Sequence, residues 1–111
     1  IPAAVFTQPE FSMVGKTEDA CIADGIEYIT RKVLFRANGK ALALGSTEGL
    51  AKMILSPSGK ILGCHILGPH ASDLIEEVAV VMQQGRTCAD IYQTIHAHPT
   101  LCEVVCDVAS K

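Results

Sequence analysis

The residues with the clearest chemical potential are a histidine and a glutamate close together near the end of the chain. Four residues, the first of them Pro99, separate His98 from Glu103. An unperturbed histidine titrates near pH ~6.5, so it can accept and return protons at neutral pH. A carboxylate bound to its second ring nitrogen would fix its tautomer and raise its basicity. The pair therefore indicates acid/base chemistry, with His98 as the proton-transfer residue and Glu103 as its orienting partner.

The same spacing also has a structural interpretation. Thr100-Leu101-Cys102-Glu103 has the form of a capping box, in which Glu103 binds the backbone of Thr100 at the start of a helix. His98 would then be an exposed loop residue before that helix. Different oxygens of Glu103 could serve both roles, so spacing alone leaves the two interpretations open.

Metal binding is the next chemistry to consider. His96 lies two residues before His98, and such a pair can hold a metal only when further ligands converge on it. His65 and His70 are remote in sequence, and nothing indicates that they approach the pair. We therefore expect no metal site.

The cysteines form no C-x-x-C motif, and their number is odd: Cys21, Cys64, Cys88, Cys102 and Cys106. Reduced, semi-buried thiols are the expected state. Cys102 and Cys106 are four residues apart on a predicted helix, where backbone geometry disfavours a disulfide. A redox-sensing role for these two thiols is a remote alternative.

The elements that must position the site run from strands to helices. Short strands are predicted within residues 1–6 and 11–14, a helix capped by Thr17, a strand over 26–35, and a hairpin over 49–67. A helix over 71–84, capped by Ser72 or His70, precedes a short one from Thr87 and a last one from Thr100. This order predicts an α+β fold, an antiparallel β-sheet with helices packed on one face. Glu76 and Glu77 are expected toward solvent.

Length and composition limit the classes of protein to which the chain can belong. The 111 residues suffice for one compact domain, 1–111, and the first residue, Ile1, suggests a piece of a longer protein. Net charge is −3 with scattered positive charges, so no nucleic-acid surface is indicated. No apolar run approaches membrane-span length and no signal peptide is visible. Hydrophobic residues make up 49% and mean hydropathy is +0.31, which suggests apolar surface that covers a partner.

The motifs together resemble one enzyme family. From His96 to Glu103 the sequence closely resembles the C-terminal signature of dihydrolipoamide dehydrogenases. Further segments match the family's interface domain in the same order, across essentially the whole chain. They are Ile1-Pro2-Ala3, Thr7-Gln8-Pro9-Glu10, Val14-Gly15, Asn38-Gly39-Lys40-Ala41, Glu48-Gly49, Lys52, Ile61-Leu62-Gly63, His65-Ile66-Leu67-Gly68 and Ala71-Ser72-Asp73-Leu74-Ile75.

The resemblance implies the dimerisation domain of a class I pyridine-nucleotide disulfide oxidoreductase. Such a domain forms most of a two-fold homodimer interface and sends its His-Pro segment toward the partner subunit's redox disulfide and flavin. The histidine matching His98 acts there as acid/base, and the glutamate matching Glu103 orients it. The resemblance also implies that the peptide bonds His98-Pro99 and Gln8-Pro9 are cis. His96 has no catalytic counterpart and serves as a family marker.

The resemblance further implies NAD-dependent oxidation of dihydrolipoamide, with FAD and NAD bound by domains ahead of this one. This domain alone is then expected to bind neither cofactor and to be inactive, and it offers no cofactor-binding residues that can be named. A 2-oxoacid dehydrogenase complex is a candidate partner, and the cytoplasm or the mitochondrial matrix the expected compartment.

Two departures and two alternatives accompany the resemblance. Cys102 replaces the usual serine of the signature, and Gln8 stands where histidine is common. The alternatives are a glutathione-reductase-like disulfide reductase domain, which shares His-Pro-Thr, and a purely dimerising interaction module without a catalytic role in isolation.

Overall fold

The computed structural model describes residues 2–5, 10–40 and 49–110. Its strands are β1 (Ala3–Val5), β2 (Phe11–Gly15), β3 (Ile29–Leu34), β4 (Leu50–Leu55) and β5 (Ile61–Leu67). Its α-helices are α1 (Glu18–Ala23), α2 (Ala71–Gln83), α3 (Cys88–Tyr92) and α4 (Glu103–Ser110), and a 3-10 turn (Phe35–Ala37) follows β3. The expectations for Gln8-Pro9 and for Ala41 to Glu48 fall outside the described residues.

The strands form one antiparallel sheet with the order β1-β2-β5-β4-β3. The predicted hairpin is confirmed as β4 and β5, joined through a turn in which the Ser56 amide donates to the Lys60 carbonyl at 2.9 Å. Gly59 in that turn has φ +95°, a conformation that side chains with a Cβ rarely adopt. The predicted α+β architecture with an antiparallel sheet is therefore confirmed.

The hydrophobic core lies between the sheet and the later helices. Alternate residues of β4 and β5, such as Ala51, Met53 and Ile66, are fully buried in it. The helix predicted over 71–84 is confirmed by α2, which buries Leu74, Ile75 and Val78 at helical spacing. The last helix, α4, contributes Val104, Val105, Val108 and Ala109. The core thus fixes α2 and α4 against one sheet face, with the segment that carries the histidines between them in sequence.

The short helix α1 lies toward the other sheet face. Its residue Glu18 binds the Lys52 ammonium and accepts a hydrogen bond from the Tyr28 hydroxyl at 3.2 Å. Lys52 alternates along β4 with the core residues Ala51 and Met53, so its side chain points away from the core. The helices that adjoin the candidate site are therefore α2, α3 and α4.

The predicted helix caps have different outcomes. Thr17 caps α1 by accepting a hydrogen bond from the Ala20 amide at 3.1 Å, and Thr87 and Asp90 form a capping box at α3. At α2 the predicted N-cap position of His70 is confirmed, whereas Ser72 lies inside the helix. His70 has φ 59° and makes no side-chain cap bond.

The carboxylate of Glu10 serves the start of α2 instead. It accepts hydrogen bonds from the Ser72 hydroxyl at 2.7 Å and from the Ser72 amide at 3.4 Å. The Ser72 hydroxyl bond is the main cause that holds the pKa of Glu10 below its usual value. A residue ahead of β2 thereby supplies the negative charge that a helix N-terminus favours. None of the described helices is long and apolar enough to cross a membrane.

Candidate active site

The candidate site lies on the histidine segment, residues 93–102, which joins α3 to α4. The segment is fastened at its downstream end, where Leu101 is buried and the Asn38 side-chain amide donates to the Thr100 carbonyl at 3.0 Å. At its upstream end the Thr94 hydroxyl donates to the Asp90 carbonyl of α3 at 2.7 Å. The His98-Pro99 bond is cis. His98 is thus carried on a segment whose two ends are tied to the fold.

His98 and Glu103 are brought together as the sequence predicted. The Nδ1 atom of His98 lies 2.9 Å from Oε1 and 3.1 Å from Oε2 of Glu103. The His98 side chain is 76% exposed, whereas that of Glu103 is 29% exposed. The glutamate is therefore the better-fixed member of the pair, and the imidazole extends from it into solvent.

Glu103 also contacts the helix start, so both interpretations of the spacing describe the same residue. Its Oε1 accepts a hydrogen bond from the Thr100 amide at 3.1 Å while it binds His98. The other half of the predicted capping box is wrong. The Thr100 hydroxyl donates to the Ala97 carbonyl at 2.6 Å rather than accepting from the Glu103 amide. Thr100 therefore stabilises the histidine segment.

These contacts favour the ionised form of Glu103. The Thr100 amide bond is the largest cause that lowers the pKa of Glu103, and the His98 hydrogen bond and the charges of His98 and His96 act in the same direction. Partial burial opposes them. A carboxylate that stays ionised near neutral pH is a hydrogen-bond acceptor only. The atom of His98 that faces it must therefore be a donor, Nδ1–H.

This assignment fixes the chemistry available to His98. With Nδ1 protonated, the neutral imidazole has its lone pair on Nε2. Within the described part of the chain, no hydrogen bond occupies Nε2. The exposed edge of the ring can therefore accept a proton from an incoming group, and Glu103 can stabilise the imidazolium that forms.

His96 has the opposite arrangement. Its Nε2 lies 2.6 Å from Oε2 of Glu77 on α2, and its Nδ1 lies 2.8 Å from the Thr94 carbonyl. Its side chain is only 8% exposed. Contacts within the chain therefore occupy both ring nitrogens, and neither is open to an incoming group. The geometry therefore favours His98 over His96 as a base.

The prediction that Glu77 points to solvent is wrong, since its carboxylate binds His96 and is only 31% exposed. Glu76, its neighbour, is exposed as predicted. The missed signal is the position of Glu77 between the buried residues Leu74 and Val78, which places it at the border of the apolar stripe. Because His96 lies 19 residues further along the chain, no local sequence pattern could predict its contact with Glu77.

The other histidines lie outside the site. His65 is on β5, where its ring stacks near Phe11 with centroids 6.5 Å apart, and His70 pairs with Asp73 at 3.7 Å. Among the described residues no cluster of three or more histidine, cysteine or acidic side chains could hold a metal ion. The cysteines are free thiols, with Cys102 exposed and Cys106 half-buried.

The described residues do not fit a dinucleotide cofactor. A surface pocket between β3, the hairpin turn and α3 has a volume of about 230 Å³ and is lined by residues such as Ile29, Arg31 and Tyr92. That is below the roughly 300–1,000 Å³ of typical small-ligand pockets. The sequence also lacks G-x-G-x-x-G, the phosphate-binding pattern of dinucleotide folds. No step of the chemistry is therefore assigned to a cofactor held by this chain.

Sequence comparison finds relatives that are named dihydrolipoyl dehydrogenases. The chain is 46% identical over 110 residues to dihydrolipoyl dehydrogenase of Geobacillus stearothermophilus, covering 98% of this chain and 23% of that protein. It is 51% identical over 110 residues to dihydrolipoyl dehydrogenase 2, chloroplastic, of Arabidopsis thaliana, covering 95% of this chain and 19% of the relative. The chain thus spans about a quarter or less of the length of these relatives.

Structural comparison agrees with the sequence. The HOCl-induced flavoprotein disulfide reductase RclA of Escherichia coli superimposes with a TM-score of 0.94 at 27% identity, covering 99% of this chain and 26% of that one. The sequence model of the pyridine nucleotide-disulphide oxidoreductase dimerisation domain matches residues 1–109. The chain therefore belongs to the dimerisation-domain family of the pyridine nucleotide-disulphide oxidoreductases.

Proposed function

We propose that this chain is the dimerisation domain of a flavin-dependent dihydrolipoamide dehydrogenase and supplies its acid/base pair to the partner subunit. His98 is the proposed catalytic residue, and Glu103 is the positioning residue that sets its tautomer. The observation that carries the proposal is the contact of His98 Nδ1 with both Glu103 oxygens at 2.9 and 3.1 Å, beside an exposed Nε2 edge.

The proposed chemistry is proton transfer during thiol–disulfide exchange. A thiol of dihydrolipoamide gives its proton to Nε2 of His98, because the thiolate and not the thiol is the nucleophile. The thiolate then attacks a sulfur of the enzyme's redox disulfide, forming a mixed disulfide and releasing the other sulfur as a thiolate. The second substrate thiol passes its proton to that released thiolate and attacks the mixed disulfide. This step forms lipoamide and leaves the enzyme with one thiol and one thiolate, and the thiolate can take back the proton from His98. Glu103 stabilises the imidazolium until the proton is returned.

The rest of the active site belongs, in this proposal, to a longer enzyme of which residues 1–111 form one domain. The exposure of His98 supports this, because 76% of its side chain is open to contact with another domain or subunit. Several large apolar side chains near the segment are exposed as well, Ile95 at 96% and Val80 at 48%. A second subunit that covers them would enclose the ring and remove it from bulk water.

Cofactors and partners follow from the family resemblance and remain part of the proposal. FAD and NAD bind to domains ahead of this one, and NAD accepts the electrons. The enzyme is a homodimer through this domain and serves a 2-oxoacid dehydrogenase complex, in the cytoplasm or the mitochondrial matrix. The isolated domain is expected to lack dehydrogenase activity, because this proposal assigns the cofactor sites and the redox disulfide to the domains ahead of it.

The direct test is His98→Gln in the full-length holoenzyme. Removal of a general acid/base is expected to lower kcat for dihydrolipoamide oxidation on the order of 10²- to 10⁴-fold. His70→Gln is the matched control, since His70 is an exposed histidine of the same chain with its side chain 62% accessible. Turnover of His98→Gln equal to that of the control would refute the assignment.

A second candidate function is a purely dimerising interaction module. The exposed side chains of Ile95, Val80 and Tyr92 favour a binding surface whether or not His98 takes part in catalysis. Sedimentation of wild-type and His98→Gln enzymes separates the two functions. A preserved dimer with lost turnover supports catalysis, whereas a preserved dimer with full turnover supports the module alone.

A further inference from the structure

The ion pair between α2 and the histidine segment has no role in the proton transfer described above. His96 Nε2 and Glu77 Oε2 are 2.6 Å apart, and the His96 side chain is 8% exposed. This is a short, charge-assisted contact in a largely dry position. Forming such a pair costs desolvation energy. Stabilisation of the fold alone is therefore a weak explanation for this ion pair.

The second ring nitrogen of His96 helps to fix the orientation of the ring. His96 Nδ1 faces the Thr94 carbonyl at 2.8 Å, and a carbonyl oxygen only accepts. A ring with two N–H groups satisfies this carbonyl and the Glu77 carboxylate at the same time. The ring plane is thereby fixed from both ends, one in its own segment and one on α2.

Helix α2, which carries Glu77, is held in place by the hydrophobic core. Residues Leu74, Ile75 and Val78, which flank Glu77 in sequence, are buried in the core at 5%, 1% and 0% exposure. Close-packed cores resist displacement of such a helix. The position of Glu77 is therefore defined by the core and not by the loop that it binds.

The Glu77–His96 pair matters for the candidate site because His96 lies two residues before His98. His98 has an anchor downstream, at Glu103 and Thr100, and His96 provides an anchor two residues upstream. The His96 charge also contributes to the lowered pKa of Glu103. The upstream anchor thus acts on the acid/base pair through both geometry and charge.

We propose that the Glu77–His96 ion pair is a positioning clamp, which ties the segment bearing His98 to α2 and so fixes where the His98 ring stands. Glu77 and His96 are positioning residues that act through His98 and do not touch the substrate. The effect on turnover rests on the proposed function of His98, whereas the tie to α2 does not.

The test compares Glu77→Ala, His96→Ala and the double variant in the full-length holoenzyme, with Glu76→Ala as the exposed neighbouring control. Hydrogen exchange of backbone amides in peptides over residues 93–101 is expected to be faster in the clamp variants and unchanged in the control. Exchange equal to wild type in Glu77→Ala would overturn the clamp, whichever result His98→Gln gives.

Steady-state kinetics then tests positioning. A displaced catalytic group is expected to lower kcat on the order of ten- to a hundredfold, with KM for dihydrolipoamide within about twofold of wild type. The double variant should lose no more than either single variant, because the two residues act as one unit. Glu77→Gln, which keeps an acceptor oxygen and guards against misfolding of Glu77→Ala, should retain an intermediate kcat.

Three results would overturn the positioning role. The first is wild-type kcat in Glu77→Ala and His96→Ala, in an enzyme where His98→Gln is inactive. The second is a double-variant loss equal to the product of the single losses. The third is loss of kcat only in proportion to loss of flavin-bound dimer, which would mark a general folding defect. If His98→Gln itself turns over normally, the proposed function fails, and hydrogen exchange alone decides the clamp.

Discussion

His98 and His96 differ in the number of ring nitrogens that remain available for proton transfer. Glu103 takes one nitrogen of His98, while Glu77 and the Thr94 carbonyl take both nitrogens of His96. The residue types and the family resemblance are enough to predict the contact between His98 and Glu103, and their catalytic role stays a prediction. The hydrogen-bond partners of His96 are not predictable in this way, because they depend on how α2 packs against the segment.

The first prediction concerns the carboxylate beside His98. Glu103→Gln keeps an oxygen that can accept from the Thr100 amide, so α4 should begin normally. The neutral amide no longer stabilises an imidazolium, so kcat/KM should fall by about tenfold or more. The measurement is kcat/KM of the holoenzyme near neutral pH, with Glu76→Gln as the control.

Glu103 also adds a pH dependence to the stability of the fold. Its pKa is lowered in the folded state, mainly by the Thr100 amide. The stability that the carboxylate contributes is therefore present above its unfolded pKa of about 4.3 and is lost as pH falls through the lower folded value. Near neutral pH the glutamate stays charged. Wild-type kcat/KM in Glu103→Gln would contradict its orienting role.

The second prediction concerns thiol reactivity. Burial raises the pKa of the Cys64 thiol to about 12, and Cys64 is fully buried, so almost no thiolate forms at neutral pH. Cys102 is exposed at the start of the last helix. A short alkylation of the native protein at neutral pH should therefore modify Cys102 and spare Cys64, as peptide mass mapping would show. Labelling of Cys64 ahead of Cys102 would contradict the described burial.

At the scale of elements, local sequence patterns predicted most of the fold. The Pro57-Ser58-Gly59 turn marked the hairpin, the spacing of Leu74, Ile75 and Val78 marked α2, and Thr87 with Asp90 marked α3. Each signal involves neighbours along the chain. Two contacts that the patterns missed, the Glu10 contact at the start of α2 and the Glu77–His96 pair, involve partners 62 and 19 residues away. Local propensity carries no information about such tertiary contacts.

The third prediction concerns β5. His65 is half-buried there, and its Nε2 has no hydrogen-bond partner among the described residues. Burial first, and the nearby Lys52 charge second, lower the pKa of His65. An imidazole with a lowered pKa takes up its proton more readily when unfolded. Its contribution to stability is therefore present above about pH 6.5 and is lost as pH falls through the folded value.

His65→Phe isolates this effect, because it keeps an aromatic ring beside Phe11 and removes the titrating group. The variant should lose less thermal stability than the wild type when pH is lowered from 7 toward 5. His70→Gln, at an exposed histidine, should follow the wild-type curve. Melting curves across this pH range test the prediction, and parallel curves for His65→Phe and wild type would contradict it.

At the scale of the whole molecule, the proposed function makes the candidate site one side of a larger arrangement. The ring of His98 is 76% exposed, and the chain spans about a quarter or less of its relatives' length. The family resemblance predicts that the remaining half lies on the partner subunit. No property of this chain alone could supply that geometry, since the groups that face Nε2 are not among its described residues.

The measurement that tests this central claim most directly is subunit complementation. Two inactive full-length variants are co-produced with different affinity tags. One carries His98→Gln, and the other has serine in place of the redox cysteines of the preceding domains. Doubly tagged hybrid dimers contain one site with both intact halves if His98 acts across the two-fold interface. They should regain about half of the wild-type turnover, because one of two symmetry-related sites is complete. Hybrid dimers as inactive as their parents would show that His98 serves its own subunit or none.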